Sequence, residues 1–179
     1  LMRYSSPISY YDYLYKLDIH DIKATVLSQR LLKKYPDTKV ISLQNLVLTT
    51  LPDFQPMTNL EEIYIDTCPE LKLSTHFSGT GNLTKFTCLN CNLGALPNPI
   101  TGLNKLEEIT LRNNNFTSFA HIQGLTTLQF LKRIFLHDND FSSQNVTSME
   151  SFFQNCNPDC DFSITNCGLN NFPKNLGQS

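Results

Sequence analysis

The sequence has no run of roughly 18 apolar residues, the length a membrane-spanning helix needs. It shows no secretory leader, and its first residue is Leu1 rather than Met. Positive charge is scarce. Lys and Arg total 14 against 16 Asp and Glu, so the net charge is -2. A chain that grips the phosphate backbone of nucleic acid needs a concentrated basic face, and none is visible. The phosphate-binding pattern G-x-x-x-x-G-K-S/T and the nucleophile pattern G-x-S-x-G are both missing. Charged residues make up 17% of the chain and hydrophobic ones 40%, which excludes a disordered polymer and fits one folded domain or one short solenoid.

Six stretches fit one template instead. The fourth runs Leu106-x-x-Ile109-x-Leu111-x-x-Asn114-x-Phe116, and the fifth Leu131-x-x-Ile134-x-Leu136-x-x-Asn139-x-Phe141. The third places Leu83, Phe86, Cys88, Cys91 and Leu93 in the same frame. The second places Leu60, Ile63, Ile65 and Cys68, with Leu71 one residue late. Looser copies start at Thr38 (Ile41, Leu43, Leu46, Leu48) and at Asp159 (Phe162, Ile164, Cys167, Leu169). Successive starts lie 22, 23, 23, 25 and 28 residues apart. The pattern resembles the leucine-rich-repeat signature L-x-x-L-x-L-x-x-N/C-x-L over about residues 38–175.

The resemblance implies an α/β solenoid: a short curved horseshoe with a parallel concave sheet of about six strands. Residues 38–179 would hold the repeats, and 1–37 an aromatic segment followed by a capping helix. Asp21 suits a helix N-cap, Ala24, Leu27, Leu31 and Tyr35 follow at helical spacing, and Pro36 stops the run, so 21–35 is expected to be that helix. Tyr4, Tyr10, Tyr11, Tyr13 and Tyr15 precede it. Leu51-Pro52, Leu96-Pro97 and Phe172-Pro173 mark the step after a strand, with Phe119-Ala120 a variant of it. Phe54, Ile100, Leu103, Ile122 and Leu125 are expected to pack inward from the return legs. The fifth return leg, about 142–158, carries Met149, Phe152 and Phe153 and reads as a true helix, where the others read as extended or 3₁₀.

The six cysteines do not form a disulfide framework. Cys68, Cys91 and Cys167 fall at the ninth position of a repeat and Cys88 at the sixth, all inward, where a thiol acts as a small apolar residue. Only Cys156 and Cys160 fall outside these columns, either as a disulfide or as two thiols. Extracellular relatives of the family often carry clustered-cysteine caps, and residues 1–37 have none. This favours a reducing, cytoplasmic setting over the cell surface. Three N-x-T sequons, at Asn82, Asn115 and Asn145, oppose it, but about as many arise by chance in a chain with 18 asparagines.

Nothing converges into catalytic or metal-binding chemistry. The four histidines are dispersed, and no cofactor is expected. Function therefore rests on residues the frame leaves outward. Position five gives Ser42, Tyr64, Thr87, Thr110, Phe135 and Ser163, and position seven gives Gln44, Asp66, Leu89, Arg112, His137 and Thr165. Tyr64, Leu89 and Phe135 are large apolar side chains turned to water, with Asp66, Thr110, Arg112 and His137 beside them. Aromatic and arginine anchors in a polar rim are the make-up of protein-binding hot spots. At positions two and three, Glu61-Glu62 and Glu107-Glu108 alternate with Lys85 and with Lys132 and Arg133, a pattern for a ladder of ion pairs. The expected function is a non-catalytic interaction module for a protein ligand. The alternative is the ectodomain fragment of a cell-surface receptor or adhesion protein. No nucleic acid and no membrane insertion are expected, and further repeats or domains C-terminal to the chain are.

Overall fold

The computed structural model describes residues 15–169. Among the described residues seven strands make one open sheet, all parallel and in sequence order. They are β1 (Lys16–His20), β2 (Val40–Gln44), β3 (Glu62–Asp66), β4 (Lys85–Leu89), β5 (Glu108–Thr110), β6 (Arg133–Phe135) and β7 (Asp161–Ser163). Equivalent repeat positions pair in register from strand to strand. Ile41 meets Ile63, Ile63 meets Phe86, and Ile109 meets Ile134. A one-residue slip would turn every apolar side chain outward, so the alternation in the sequence fixes this register.

The inward columns are dry. Ile41, Leu43, Ile63, Ile65, Cys88, Leu111, Ile134 and Leu136 are all at 0% exposure. The expected return-leg residues Phe54, Ile100, Leu103, Ile122 and Leu125 are buried with them. The fifth return leg is an α-helix, Val146–Gln154, which packs Met149, Phe152 and Phe153 inward. Asn145 caps it by accepting from the Ser148 amide at 2.8 Å. The fourth return leg is a 3₁₀ helix, Phe119–Thr127. Phe119 stacks on Phe141 at 4.7 Å between ring centroids and on Phe152 at 5.5 Å, tying the last coils together.

The N-terminal helix is corrected. Residues 21–35 are not one capping helix, and only Gln29–Leu32 is α-helical. Ahead of it lies β1, which pairs with β2 along its whole length. The sheet therefore holds a seventh coil, with Leu17 and Ile19 in the inward columns at 2% and 1% exposure. Asp21 is not a cap but a turn residue at φ 56°. The spacing of Leu27 and Leu31 belongs to a return leg, where Leu27 and Leu32 bury while Leu31 is half-exposed. Tyr4, Tyr10, Tyr11 and Tyr13 lie outside the described residues, as does Phe172-Pro173.

Each coil turns at its eighth position through left-handed backbone. Asp21, Asn45, Thr67, Asn90, Asn113, Asp138 and Asn166 all have φ between 52° and 59°. Asn and Asp adopt this region at small cost, but a β-branched residue is an outlier there. Thr67 is the exception among the seven. Thr67→Asn should therefore raise stability by about 1 kcal/mol by relieving that strain. The check is urea denaturation, and a variant no more stable than the parent would remove the strain argument.

Candidate functional site

The ninth position explains why the coils stack at a fixed distance. The Asn139 side-chain amide donates to the carbonyl of Leu111 in the preceding coil (2.9 Å) and to that of Leu136 in its own (3.1 Å). Its oxygen accepts from the Asn114 and Phe116 amides, both at 3.2 Å. Asn114 repeats the pattern one coil earlier, giving to Cys88 and Leu111 and accepting from Cys91 and Leu93. Where cysteine replaces asparagine, the thiol keeps the donor half, Cys167 Sγ giving to the Leu136 carbonyl at 3.0 Å, and its sulfur is a weaker acceptor than the amide oxygen. These residues are committed to the interior. All six thiols are free. Burial pushes Cys156 up to about 12 and Cys160 up to about 11, so neither is a thiolate nucleophile at neutral pH.

The outward face of the sheet carries three rows. In the row of position three, Lys85 Nζ lies 3.8 Å from Glu62 and 3.6 Å from Glu108, and Arg133 Nε lies 2.7 Å from Glu108. Beside it, at position two, Lys39 pairs with Glu61 and Lys132 with Glu107. The alternating charges form the expected ladder across neighbouring coils, each pair at least partly open to water and individually weak. The Glu108 hydrogen bond holds the Arg133 guanidinium above its ordinary value.

The row of position five differs from expectation at its small residues. Ser42 and Thr87 are outward yet buried, at 1% and 5% exposure. Short side chains are roofed by longer neighbours: Thr87 sits in register beside Tyr64, and Gln44 donates to the Ser42 hydroxyl at 2.8 Å. Tyr64, Thr110 and Phe135 in the same row are half-exposed. Phe135 stacks against His137 with centroids 6.0 Å apart.

In the row of position seven, Asp66, Leu89 and His137 are half-exposed and Arg112 is exposed. Arg112 Nε donates to Asp138 at 2.8 Å. A hydrogen bond from Asn166, then that of Arg112, holds the Asp138 carboxyl below its usual range. His137 Nδ1 meets the Thr165 hydroxyl. Asp66 is held differently. Its Oδ1 accepts from Asn90 at 2.7 Å and from the Thr67 hydroxyl at 2.9 Å, and its Oδ2 faces the Tyr64 hydroxyl at 3.4 Å. Burial, and then the Asp66 charge, push the Tyr64 phenol up. Asn90 and Thr67 are turn residues whose part in orienting Asp66 the repeat frame did not single out. Their signal was present in the eighth position, where a polar side chain recurs in every coil.

Among the described residues no group of three or more His, Cys, Asp or Glu side chains is arranged to hold a metal ion, and no helix is long and apolar enough to cross a membrane.

Comparison with known proteins agrees with this architecture. No protein-family model matches the chain. A putative disease resistance protein of Arabidopsis thaliana is 29% identical over 164 residues, covering 78% of this chain and 13% of that protein. The chain thus spans a small part of that relative's length. The structure of human 5T4, trophoblast glycoprotein, superposes with a TM-score of 0.62 at 14% identity, covering 84% of this chain and 59% of that one. A leucine-rich-repeat protein of Leptospira interrogans gives a TM-score of 0.40 at 19% identity, covering 79% and 52%. The recurring frame, the single parallel sheet and the likeness to 5T4 define a repeat solenoid. The chain has the fold of a leucine-rich-repeat solenoid.

Proposed function

We propose that the chain is a non-catalytic interaction module that takes a protein partner on the outward sheet face, the concave face of the expected horseshoe. Tyr64, Asp66, Leu89, Thr110, Arg112, Phe135 and His137 would meet it. The observation that carries this reading is the pair of half-exposed aromatic rings, Tyr64 and Phe135, standing in one row of a sheet whose other face is closed by the core. A rigid scaffold with aromatic anchors separated by roofed small residues offers burial at little entropic cost. The alternating ion pairs at positions two and three leave no basic stripe for nucleic acid.

The test is affinity capture from the native source with the parent chain and with the Tyr64→Ala/Phe135→Ala double variant. Neither ring belongs to the dry interior, so the variant should melt close to the parent. Loss of two hot-spot anchors should cost about 2 kcal/mol or more each, enough to remove the captured partner. A partner retained by a folded double variant would count against the concave face.

A second reading, an ectodomain fragment of a surface receptor, is favoured by one observation: Asn82, Asn115 and Asn145 are all exposed. Endoglycosidase treatment of chain made in a secretory host separates the two. A loss of mass supports the ectodomain, and an unchanged mass counts against it.

A further inference from the structure

We infer that Tyr64, Asp66 and Leu89 form a subsite for one cationic side chain of the partner, an arginine above all. The inference deepens the concave-face reading and takes the choice of face from it. Its starting point is an asymmetry of charge. Of the acidic groups in the three outward rows, Glu62 and Glu108 are paired with Lys85 and Arg133, and Asp18 lies 3.7 Å from Lys16. Asp161, at the end of its row, stands in register beside Arg133. Asp66 lies inside the sheet, between Gln44 and Leu89, and its partners are all neutral: an amide and two hydroxyls.

That arrangement costs little while water covers it. A partner that docks on Tyr64 and Leu89 must also cover Asp66, since these residues are next neighbours on the sheet. A carboxylate stripped of water without a countercharge is strongly unfavourable. The face therefore penalises a neutral or acidic group at this point and admits a cation. Room for the bond exists. A carboxylate offers about four acceptor sites. Two on Oδ1 are taken, and Oδ2 has one free besides its long contact with the Tyr64 hydroxyl. A guanidinium bonded there would lie against the Tyr64 ring, and its alkyl stem against Leu89. The other aromatic, Phe135, has no such demand. Arg133 is paired with Glu108, and Arg112 with Asp138, so that end is neutralised before any partner arrives.

The experiment is a titration of the nitrogen-15-labelled chain, followed by NMR, with two acetylated and amidated pentapeptides. One is Ala-Val-Arg-Val-Ala, and the other has citrulline, the neutral isostere, in place of arginine. The arginine peptide should give saturable shifts at Tyr64, Asp66 and Leu89, and the citrulline peptide should bind about tenfold more weakly or worse, the loss of one hydrogen bond between charged groups. Asp66→Asn, which keeps an acceptor for Asn90, should abolish the difference between the peptides. Equal binding of the two peptides, no shift at those residues, or a preference that survives Asp66→Asn would each overturn the subsite. The concave-face reading stands or falls separately. Capture lost in the Tyr64/Phe135 double variant upholds that reading even where the arginine preference is missing. Capture retained, with the preference present, defeats the face as the dock of the captured partner and leaves standing only the affinity of Asp66 and its neighbours for a cationic side chain.

Discussion

Replacing Asn139 with leucine should cost about 3–5 kcal/mol, although the two side chains are nearly the same size. Asn139 is 2% exposed and sits among backbone groups that have no water. Its amide serves the Leu111, Leu136 and His137 carbonyls, and its oxygen serves the Asn114 and Phe116 amides. Leucine fills the volume and satisfies none of them. Each buried group left unpaired costs about 1–3 kcal/mol, and partial relaxation keeps the sum below the simple total. Asn139→Cys is the informative control. Cys167 at the same position one coil later donates to the Leu136 and Thr165 carbonyls, and its sulfur is only a weak acceptor. The cysteine variant should therefore fall between the parent and Asn139→Leu. Urea denaturation of the three proteins measures this. A leucine variant as stable as the parent would show that the ninth position is only a spacer.

The ninth column was legible in the sequence because it recurs as Cys68, Cys91, Asn114, Asn139 and Cys167 in one frame. The register, the inward columns and the helix at 146–154 followed from apolar periodicity, which reports burial directly. The first coil was not legible. Its ninth position holds Ile22 rather than Asn or Cys, and its return leg places Leu27 and Leu31 at a spacing that an amphipathic helix shares. Periodicity alone cannot separate a short return leg from a helix, and Asp21 suits both an N-cap and a left-handed turn. On the outward face, parity along each strand gave the direction of Tyr64 and Phe135, and register gave the ion-pair ladder. The roofing of Ser42 and Thr87, and the neutral setting of Asp66, depend on the lengths of side chains in neighbouring coils. A single strand's pattern does not carry that information.

Leu136→Ala should cost about 2–5 kcal/mol, the range for a leucine truncated in a core that cannot fully close on the cavity. For a chain of this size that lowers the melting temperature by about 2–4 °C per kcal/mol. Leu136 is at 0% exposure, in the sixth-position column that also contains Ile65, Cys88 and Leu111. In a stacked solenoid each coil touches only its neighbours, so a cavity there weakens the contact with the coil before and the coil after together. Leu111→Ala, equally dry, should behave the same way. Ile164 holds the corresponding place in the last coil but is half-exposed, so Ile164→Ala should cost clearly less, about 1 kcal/mol. The contrast carries the argument. If cost follows the frame, the loss is large at Leu111 and Leu136 and small at Ile164. If all three variants melt with the parent, these side chains do not share a continuous interior, and the assignment of Tyr64, Asp66 and Phe135 to the wet face falls with it.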